Sequence, residues 1–562
     1  MVNGIINILR KEVSGLHEAA FLLGFFAIAS QILALVRDRM LAHNFGAGAD
    51  LDVYYAAFRV PDFLYISIAS FVSLTVLIPF LSGYLSGGEA SKEKAKEFLN
   101  GIFSVFMLVI AFACAAAFFA MPFLAPLIAP GFGESQLSDL IFLSRLLLLS
   151  PIILGISNLF GSVTQVFRRF FVYALAPVLY NLGIIAGVVF FHPTFGLSGL
   201  GMGVILGALL HAGVQLPVVS ERGFFPRFSF PRDLSAVKNV IALSLPRTIT
   251  LSASHFSLIV IIALASTVYN GSISVFNFAF NLQSVPLSII GVSYSLAAFP
   301  TLAGFFSRGE KQLFASHVVS ALRHIIFWSL PAMGLFIVLR AQIVRVILGS
   351  GSFSWSDTKL TAAALALFSV SIVAQSAVLL LVRGFYAAGE TKVPLLVNVL
   401  SSALTVVLSF SLLSAFENSL LFKYFMESAL RVYGIGGTAI LMLPLAYSMG
   451  SIINALSLWL FFRRKYLSEP ARVLREVSFQ GFAAAVFIGF VSYHFLNFFD
   501  DIFDINTFWG IFFQGALSGL AGIFFGVLLL MLLKSRELAD ISAALRHRFW
   551  KAEVIAPEPT EL

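Results

Sequence analysis

The sequence predicts an all-α polytopic membrane protein: about fourteen transmembrane helices, in two six-helix lobes related by a parallel internal repeat, plus two C-terminal helices. Three observations predict it. Of 562 residues, 59% are hydrophobic and 11% charged, where soluble domains are about a quarter charged. Apolar runs recur along the chain, each long enough for a hydrocarbon layer that takes about 20 helical residues to cross. Two short signatures also return at nearly one offset, 221 and 217 residues on.

The spans read as 20–42, 53–85, 98–120, 139–165, 170–191, 196–219, 238–268, 274–305, 317–340, 358–388, 392–416, 436–462, 476–498 and 506–533. The first run, from about Ala19 to Ala42, is too long for a signal-peptide core and reads as a span. Several spans exceed 25 residues, which implies tilt or extension beyond the bilayer. Prolines such as Pro79, Pro177, Pro246, Pro286 and Pro394 lie inside them, and each removes a backbone hydrogen bond and can bend its helix. The single cysteine, Cys114, excludes an intramolecular disulfide.

Charge sets the expected topology. With the N-terminus in the cytoplasm, inside segments carry 26 of the 36 Lys and Arg residues and outside segments five. This bias follows the positive-inside rule, supports an even span count with both termini cytoplasmic, and explains the net charge of +8 without a nucleic-acid partner. The remaining five, Arg37, Arg39, Arg59, Arg145 and Arg247, lie within spans or at their ends. A cation at the membrane centre costs about 2.5–3.5 kcal/mol on insertion scales, so such residues face a partner or a wet cavity, or snorkel to the interface.

The repeat is carried by PFLSGYLSGGE (Pro79–Glu89) against PTLAGFFSRGE (Pro300–Glu310), and by PVLYN (Pro177–Asn181) against PLLVN (Pro394–Asn398). Its period contains six spans, an even number, so both copies have the same orientation, one architecture of secondary transporters. The expected organisation is an N-terminal segment (1–19), an N-lobe (20–219), a basic linker (220–237), a C-lobe (238–465), two further helices (466–533), and an amphipathic helix with a tail expected to be disordered (534–562).

Enzyme chemistry is not suggested. There is no Walker loop, no HExxH and no Cys/His cluster, so no cofactor or metal is expected. GLSGLGMGVILG (Gly196–Gly207) looks like a nucleotide fingerprint, but Gly199, Gly203 and Gly207 are four apart in an apolar run, the spacing of close helix packing. The outer carboxylates Asp500, Asp501 and Asp504 are the one candidate for a membrane transferase and read better as a wet loop. What remains is an apolar bundle with intramembrane arginines, and arginine binds phosphate through forked hydrogen bonds. Arg37 and Arg247 in a cavity between lobes would attract an anionic headgroup, with Asp38 orienting Arg37 or holding it when the site is empty.

SQILALVRDRMLAHNFGAGADLDVYYAAFRVPDF (Ser30–Phe63) resembles the N-terminal signature of the MurJ (MviN) family: Ser, Arg-Asp, a Phe-Gly-Ala-Gly loop, Asp followed by aromatics, then Ala-Phe-(Lys/Arg)-x-Pro. QSVPLSIIGVSYSLAAFPTLAGFFSRGE and RGFYAAGETKVPL resemble later family segments, and the likeness covers about residues 20–465. The resemblance implies the multidrug/oligosaccharidyl-lipid/polysaccharide flippase superfamily and transport of lipid II, the undecaprenyl-diphosphate-linked disaccharide-peptide precursor of peptidoglycan, across the bacterial inner membrane. It places Ser30, Arg37 and Asp38 on the cavity wall and Asp52 and Arg59 at an outer gate, with the two extra helices shaping a groove for the lipid tail. Gln31, Tyr65 and Asn281 stand where many members have arginine; Gln31 and Asn281 are taken as substrate-facing, and Arg247 as a replacement cation. Arg39 and Asp62 read as interfacial. Spans 238–268 and 392–416 lack the Asp or Glu through which some members bind sodium, so the coupling ion stays open. The implied partners are lipid II, the bilayer and the cell-wall synthesis machinery. A flippase for another lipid-linked oligosaccharide, a multidrug or cation antiporter and a transport-inactive scaffold are the alternatives.

Overall fold

The computed structural model describes residues 16–69, 74–85, 89–229, 235–467 and 472–540. Among them all regular structure is helical. Eleven helices are long and apolar enough to cross a membrane, or twelve if the pair Trp355–Ser369 and Ile372–Ala387 forms one broken span. The expected count of fourteen is not confirmed, and the difference lies in the first two segments. The first is one helix, α1 (Leu16–Phe45), carrying Arg37, Asp38 and Arg39 near its end. The second is divided into α2 (Ala49–Ala57), α3 (Arg59–Ala69) and α4 (Leu74–Leu85). The N-terminal segment to residue 15 and the tail from residue 541 lie outside the described residues.

The chain forms two compact units by contact. The first comprises Met1–Val285, Val344–Phe368 and Gly389–Ser457. It holds α1 to α4 and α5 (Glu89–Ile128), α6 (Glu134–Leu147), α7 (Leu149–Val166) and α8 (Phe170–Ala186). A π-turn at Gly187–Phe191 and a short helix α9 (His192–Phe195) continue α8; α10 (Leu197–Gly213) and α11 (Leu216–Glu221) follow. α12 (Ser235–Val268) and α13 (Ser272–Pro286) complete its continuous part. From α4, α5 and α7 come Leu77, Leu81, Leu99, Ile102, Phe106, Leu159, Phe160 and Val163, which close one core.

α8 and α10 approach until their backbones touch. A Cβ on Gly203 would collide with the Cα of Gly187, one on Gly183 with the Cα of Gly207, and one on Gly199 with the Phe191 carbonyl. The four-residue glycine spacing is therefore a packing stripe, as expected, because bilayer helices gain attraction mainly by close van der Waals contact.

The second unit comprises Pro286–Ile343, Ser369–Ala388 and Leu458–Leu562. A π-turn at Leu287–Val292 opens it, followed by α14 (Ser293–Ser307) and α15 (Lys311–Val338). α16 (Arg340–Leu348) passes from the second unit into the first at Val344, α17 (Trp355–Ser369) belongs to the first in all but its last residue, and α18 (Ile372–Ala387) to the second. α19 (Lys392–Asn418) and α20 (Leu420–Leu430) return to the first, and α21 (Met442–Tyr466) runs from it into the second. α22 (Arg472–Asp500) and α23 (Phe508–Leu532) then pack with α15 through Phe327, Val477, Ala484, Ile488 and Leu530. Gly334 lies against the Ala485 backbone and Gly526 against Ile488. Side chains such as Phe112 (78% exposed), Phe123 (79%) and Leu532 (80%) face outward, the arrangement expected where lipid is the solvent.

Gly203→Leu should destabilise the purified protein by about 1–3 kcal/mol, the usual range for overpacking. Gly213→Ala, on the same helix with open space around it, should leave the thermal midpoint nearly unchanged. Equal midpoints for both variants would refute the packing role of the stripe.

Candidate functional site

The polar site grows from one face of α13. The sequence SISVFNFAFNLQ puts Ser274, Asn277 and Asn281 at positions i, i+3 and i+7, one stripe of an otherwise apolar helix. Each bonds one charged residue of α1, α2 or α3.

Ser274 meets Asp52. The carboxylate Oδ1 accepts from the Ser274 backbone N–H at 2.8 Å and hydroxyl at 2.6 Å, and Oδ2 accepts from the Gly271 N–H at 2.7 Å. Asp52 is 1% exposed. It caps the first turn of α13 from outside that helix, satisfying N–H groups that have no intrahelical partner and placing negative charge at the positive end of the helix dipole. Gly271 has φ +95° and presses on the Ala47 carbonyl, so a side chain there would be strained twice over.

Asn277 meets Arg59: its Oδ1 accepts from Nη2 at 2.7 Å. The Arg59 Nε is buried and has no hydrogen-bond partner. Asp62 lies within electrostatic reach of Arg59, Tyr65 and Tyr180, and the Tyr65 hydroxyl accepts from Asn158 Nδ2 at 3.0 Å. Asp62 is thus part of a polar cluster in the first unit, rather than an isolated interfacial charge.

Asn281 meets Asp38. Its amide donates to Oδ2 at 2.9 Å, while Oδ1 accepts from Arg37 Nε at 3.0 Å and Nη2 at 2.8 Å. The Arg37 side chain is 21% exposed and that of Asp38 4%. Arg37 Nη1 reaches Asn181 Oδ1 at 3.2 Å, and Asn181 Nδ2 donates to Ser30 Oγ at 3.1 Å. Ser30, Arg37, Asp38 and Asn281 therefore form one network, with Asn181 as a member the sequence reading missed. A signal was present: Asn181 ends the repeated PVLYN motif. Asn181 and Asn398 both donate to the carbonyl of the proline four residues earlier, at 3.2 and 2.7 Å. In the first copy the Asn oxygen then accepts from a guanidinium; in the second it accepts from Asn454 at 2.7 Å. The two copies share a local hydrogen bond but differ in charge.

Arg39, expected at the interface, donates to the carbonyls of Val346 at 2.6 Å and Ile347 at 3.3 Å, in the last turn of α16. A cation there complements the negative end of the helix dipole. Nearby, the Ser352 N–H donates to the His43 carbonyl at 2.9 Å. Together with Asp52, these contacts fasten the α1–α2 turn to α13 and α16.

Gln31 is half-buried beside Ser30. Arg247 is half-buried on α12, five residues before Ser252, whose hydroxyl pairs with that of Ser67 at 2.8 Å. The hydrogen bonds of the α1 network run among Ser30, Arg37, Asp38, Asn181 and Asn281.

The family model described as lipid II flippase MurJ matches residues 41–513. A protein of Bdellovibrio bacteriovorus named probable lipid II flippase MurJ is 33% identical over 46% of this chain and 48% of its own length. One of Vibrio cholerae with the same name is 25% identical over 94% of this chain and 98% of its own length. A solved structure titled lipid II flippase MurJ, inward closed conformation, superposes with a TM-score of 0.71 at 21% identity, covering 93% of this chain and all of that one. An inward-facing multidrug resistance MATE family transporter of the MOP superfamily gives a TM-score of 0.62 at 14% identity, over 80% of this chain and 96% of that one. The structural matches establish the fold, and the family model spans most of the sequence: the chain belongs to the MurJ family.

Proposed function

We propose that this protein is a lipid II flippase, carrying the undecaprenyl-diphosphate-linked disaccharide-peptide from the cytoplasmic to the periplasmic leaflet. The observation that supports this most, beside family membership, is the arginine–aspartate pair of α1, held among amides on a long helix. Arg37 bonds Asp38 through two nitrogens of its fork, and both Asn181 and Asn281 anchor the pair. A diphosphate can take the place of Asp38 on that fork through charge-assisted hydrogen bonds. Asp38 then keeps Asn281 as a donor, so the exchange leaves no carboxylate unpaired.

Ser30, Gln31, Arg37, Asp38, Asn281 and Arg247 are assigned to the substrate, and Asp52 and Arg59 to the gate. Asp52 and Arg39, seated on opposite helix termini, hold the α1–α2 turn closed; their release opens the periplasmic side in alternating access. The lobes are those of the sequence repeat, and α22 and α23 guide the lipid tail. The basic-residue bias supports a bacterial inner-membrane location with cytoplasmic termini, and the product leaflet is where the cell-wall synthesis machinery works. Translocation moves a solute between environments and makes or breaks no bond, so no enzymatic role is assigned.

A second reading is transport of another lipid-linked oligosaccharide. The neutral residues Gln31, Tyr65 and Asn281, at positions where the family resemblance implies arginine, favour it.

The test is lipid II exposure in bacteria depleted of their own flippase, read with an enzyme that cleaves only outward-facing lipid II. The chain should restore cleavage. Arg37→Ala should lower the rate by at least about 100-fold, as two charge-assisted bonds of roughly 1.5–3 kcal/mol each are lost and each ~1.4 kcal/mol is tenfold in rate. Arg37→Lys, which keeps charge without the fork, should recover only part of it. A folded, membrane-inserted wild type that restores nothing would refute the lipid II assignment.

Asp52→Asn should weaken the closed gate by about 1–3 kcal/mol, because the new amide nitrogen puts a donor against either the Gly271 or the Ser274 N–H, whose own acceptor oxygen it replaces. Thiol labelling of a cysteine at Ala47 from the periplasmic side should then rise at rest. Unchanged labelling would remove Asp52 from the gate.

A further inference from the structure

Arg145 is the one intramembrane arginine that the transport reading does not use. It lies on α6, and its Nε donates to the Phe118 carbonyl of α5 at 2.9 Å. Its guanidinium carbon stands 4.6 Å from the centre of the Phe118 ring. Among the described residues its two Nη groups have no protein acceptor, which leaves four N–H donors unused.

These donors border an open groove of about 690 Å³ between α5 and the α6–α7 segment, whose walls include Cys114, Phe118, Phe119, Phe142 and Leu149. The volume falls within the ~300–1,000 Å³ range typical of ligand pockets. Arg145 is its only charged wall residue. The groove faces outward: Phe119 is 74% exposed and Phe142 58%.

Position along the helix supplies the ligand chemistry. Asp139, exposed on α6, marks the wet boundary, and Arg145 lies six residues further in, roughly 9 Å along the axis. Side chains on a helix lean toward its N-terminus, so Arg145 leans back toward that boundary. Its fork then sits just inside the leaflet, at headgroup depth, above a groove that only hydrocarbon can wet. A cation there calls for an anionic counterpart joined to an apolar chain.

We infer that this groove binds one anionic phospholipid of the leaflet beside the 128–134 loop, with its phosphate on the Arg145 Nη groups and one acyl chain along Phe119 and Phe142. The site is separate from the Arg37 network and does not depend on the transport assignment.

The experiment is native mass spectrometry of the full-length protein titrated with phosphatidylglycerol or phosphatidylcholine. Wild type should hold one phosphatidylglycerol at least about tenfold more tightly than Arg145→Gln does, with phosphatidylcholine equal in both. Ala115→Trp, which fills the groove and keeps the charge, should also abolish the preference. Thermal midpoints in phosphatidylcholine alone should match wild type, which separates lost binding from lost folding. Glycerol phosphate, a headgroup without chains, should not compete. Equal phosphatidylglycerol affinity in wild type and Arg145→Gln would overturn the inference. So would competition by glycerol phosphate, or a loss confined to polyprenyl phosphate.

Discussion

The site depends on one constraint: every charge that α1 to α3 carry into an apolar environment must find a partner there. An unpaired buried charge costs several kcal/mol. The polar face of α13 answers three of them, with Ser274 on Asp52, Asn277 on Arg59 and Asn281 on Asp38. Arg37 is held by Asp38 and Asn181, and Arg39 by the end of α16. Asp62 lies beside Arg59. Three cations and three anions thus sit in one region, formally neutral while each bond can be exchanged. Partners that are mostly neutral amides, hydroxyls and backbone groups make that exchange cheap, since a departing side chain leaves behind a dipole rather than a bare ion.

Helix termini do much of this work. Asp52 and Arg39 bind opposite ends of two different helices, each with the charge the dipole favours. Such contacts are made only when the helix ends arrive in register, and separation loses several hydrogen bonds together. That is the behaviour wanted of a gate with two discrete states rather than a graded one.

The membrane class, the helical content and most spans were legible because hydrocarbon length and backbone satisfaction leave few alternatives. The glycine stripe of α10 was legible because four-residue spacing has one strong physical meaning, and α8 supplied its counterpart in Gly183 and Gly187. The second span was harder to read. Composition shows that 53–85 is apolar but does not show that it is divided between α2, α3 and α4. In the site, charged residues stood out against an apolar background, while their neutral partners did not. Asn181 and Asn277 look like ordinary polar residues until the fold brings them to arginine. Which distant helix end would receive Asp52 or Arg39 is a tertiary fact that no local pattern in the chain encodes.

The central claim is that the Asp52 latch opens to the outside during each transport cycle. Cys114 is the only cysteine and Ser272 is 3% exposed, so a Ser272→Cys chain carrying Cys114→Ser offers one buried reporter that leaves every Asp52 bond in place. The decisive measurement is labelling of that cysteine by a membrane-impermeant thiol reagent on the periplasmic side, alongside lipid II exposure in the same cells. The account predicts that labelling is slow when lipid II synthesis is blocked, accelerates when it resumes, and stops further exposure once complete. Lipid II that continues to reach the outer leaflet while the cysteine stays unlabelled would contradict it.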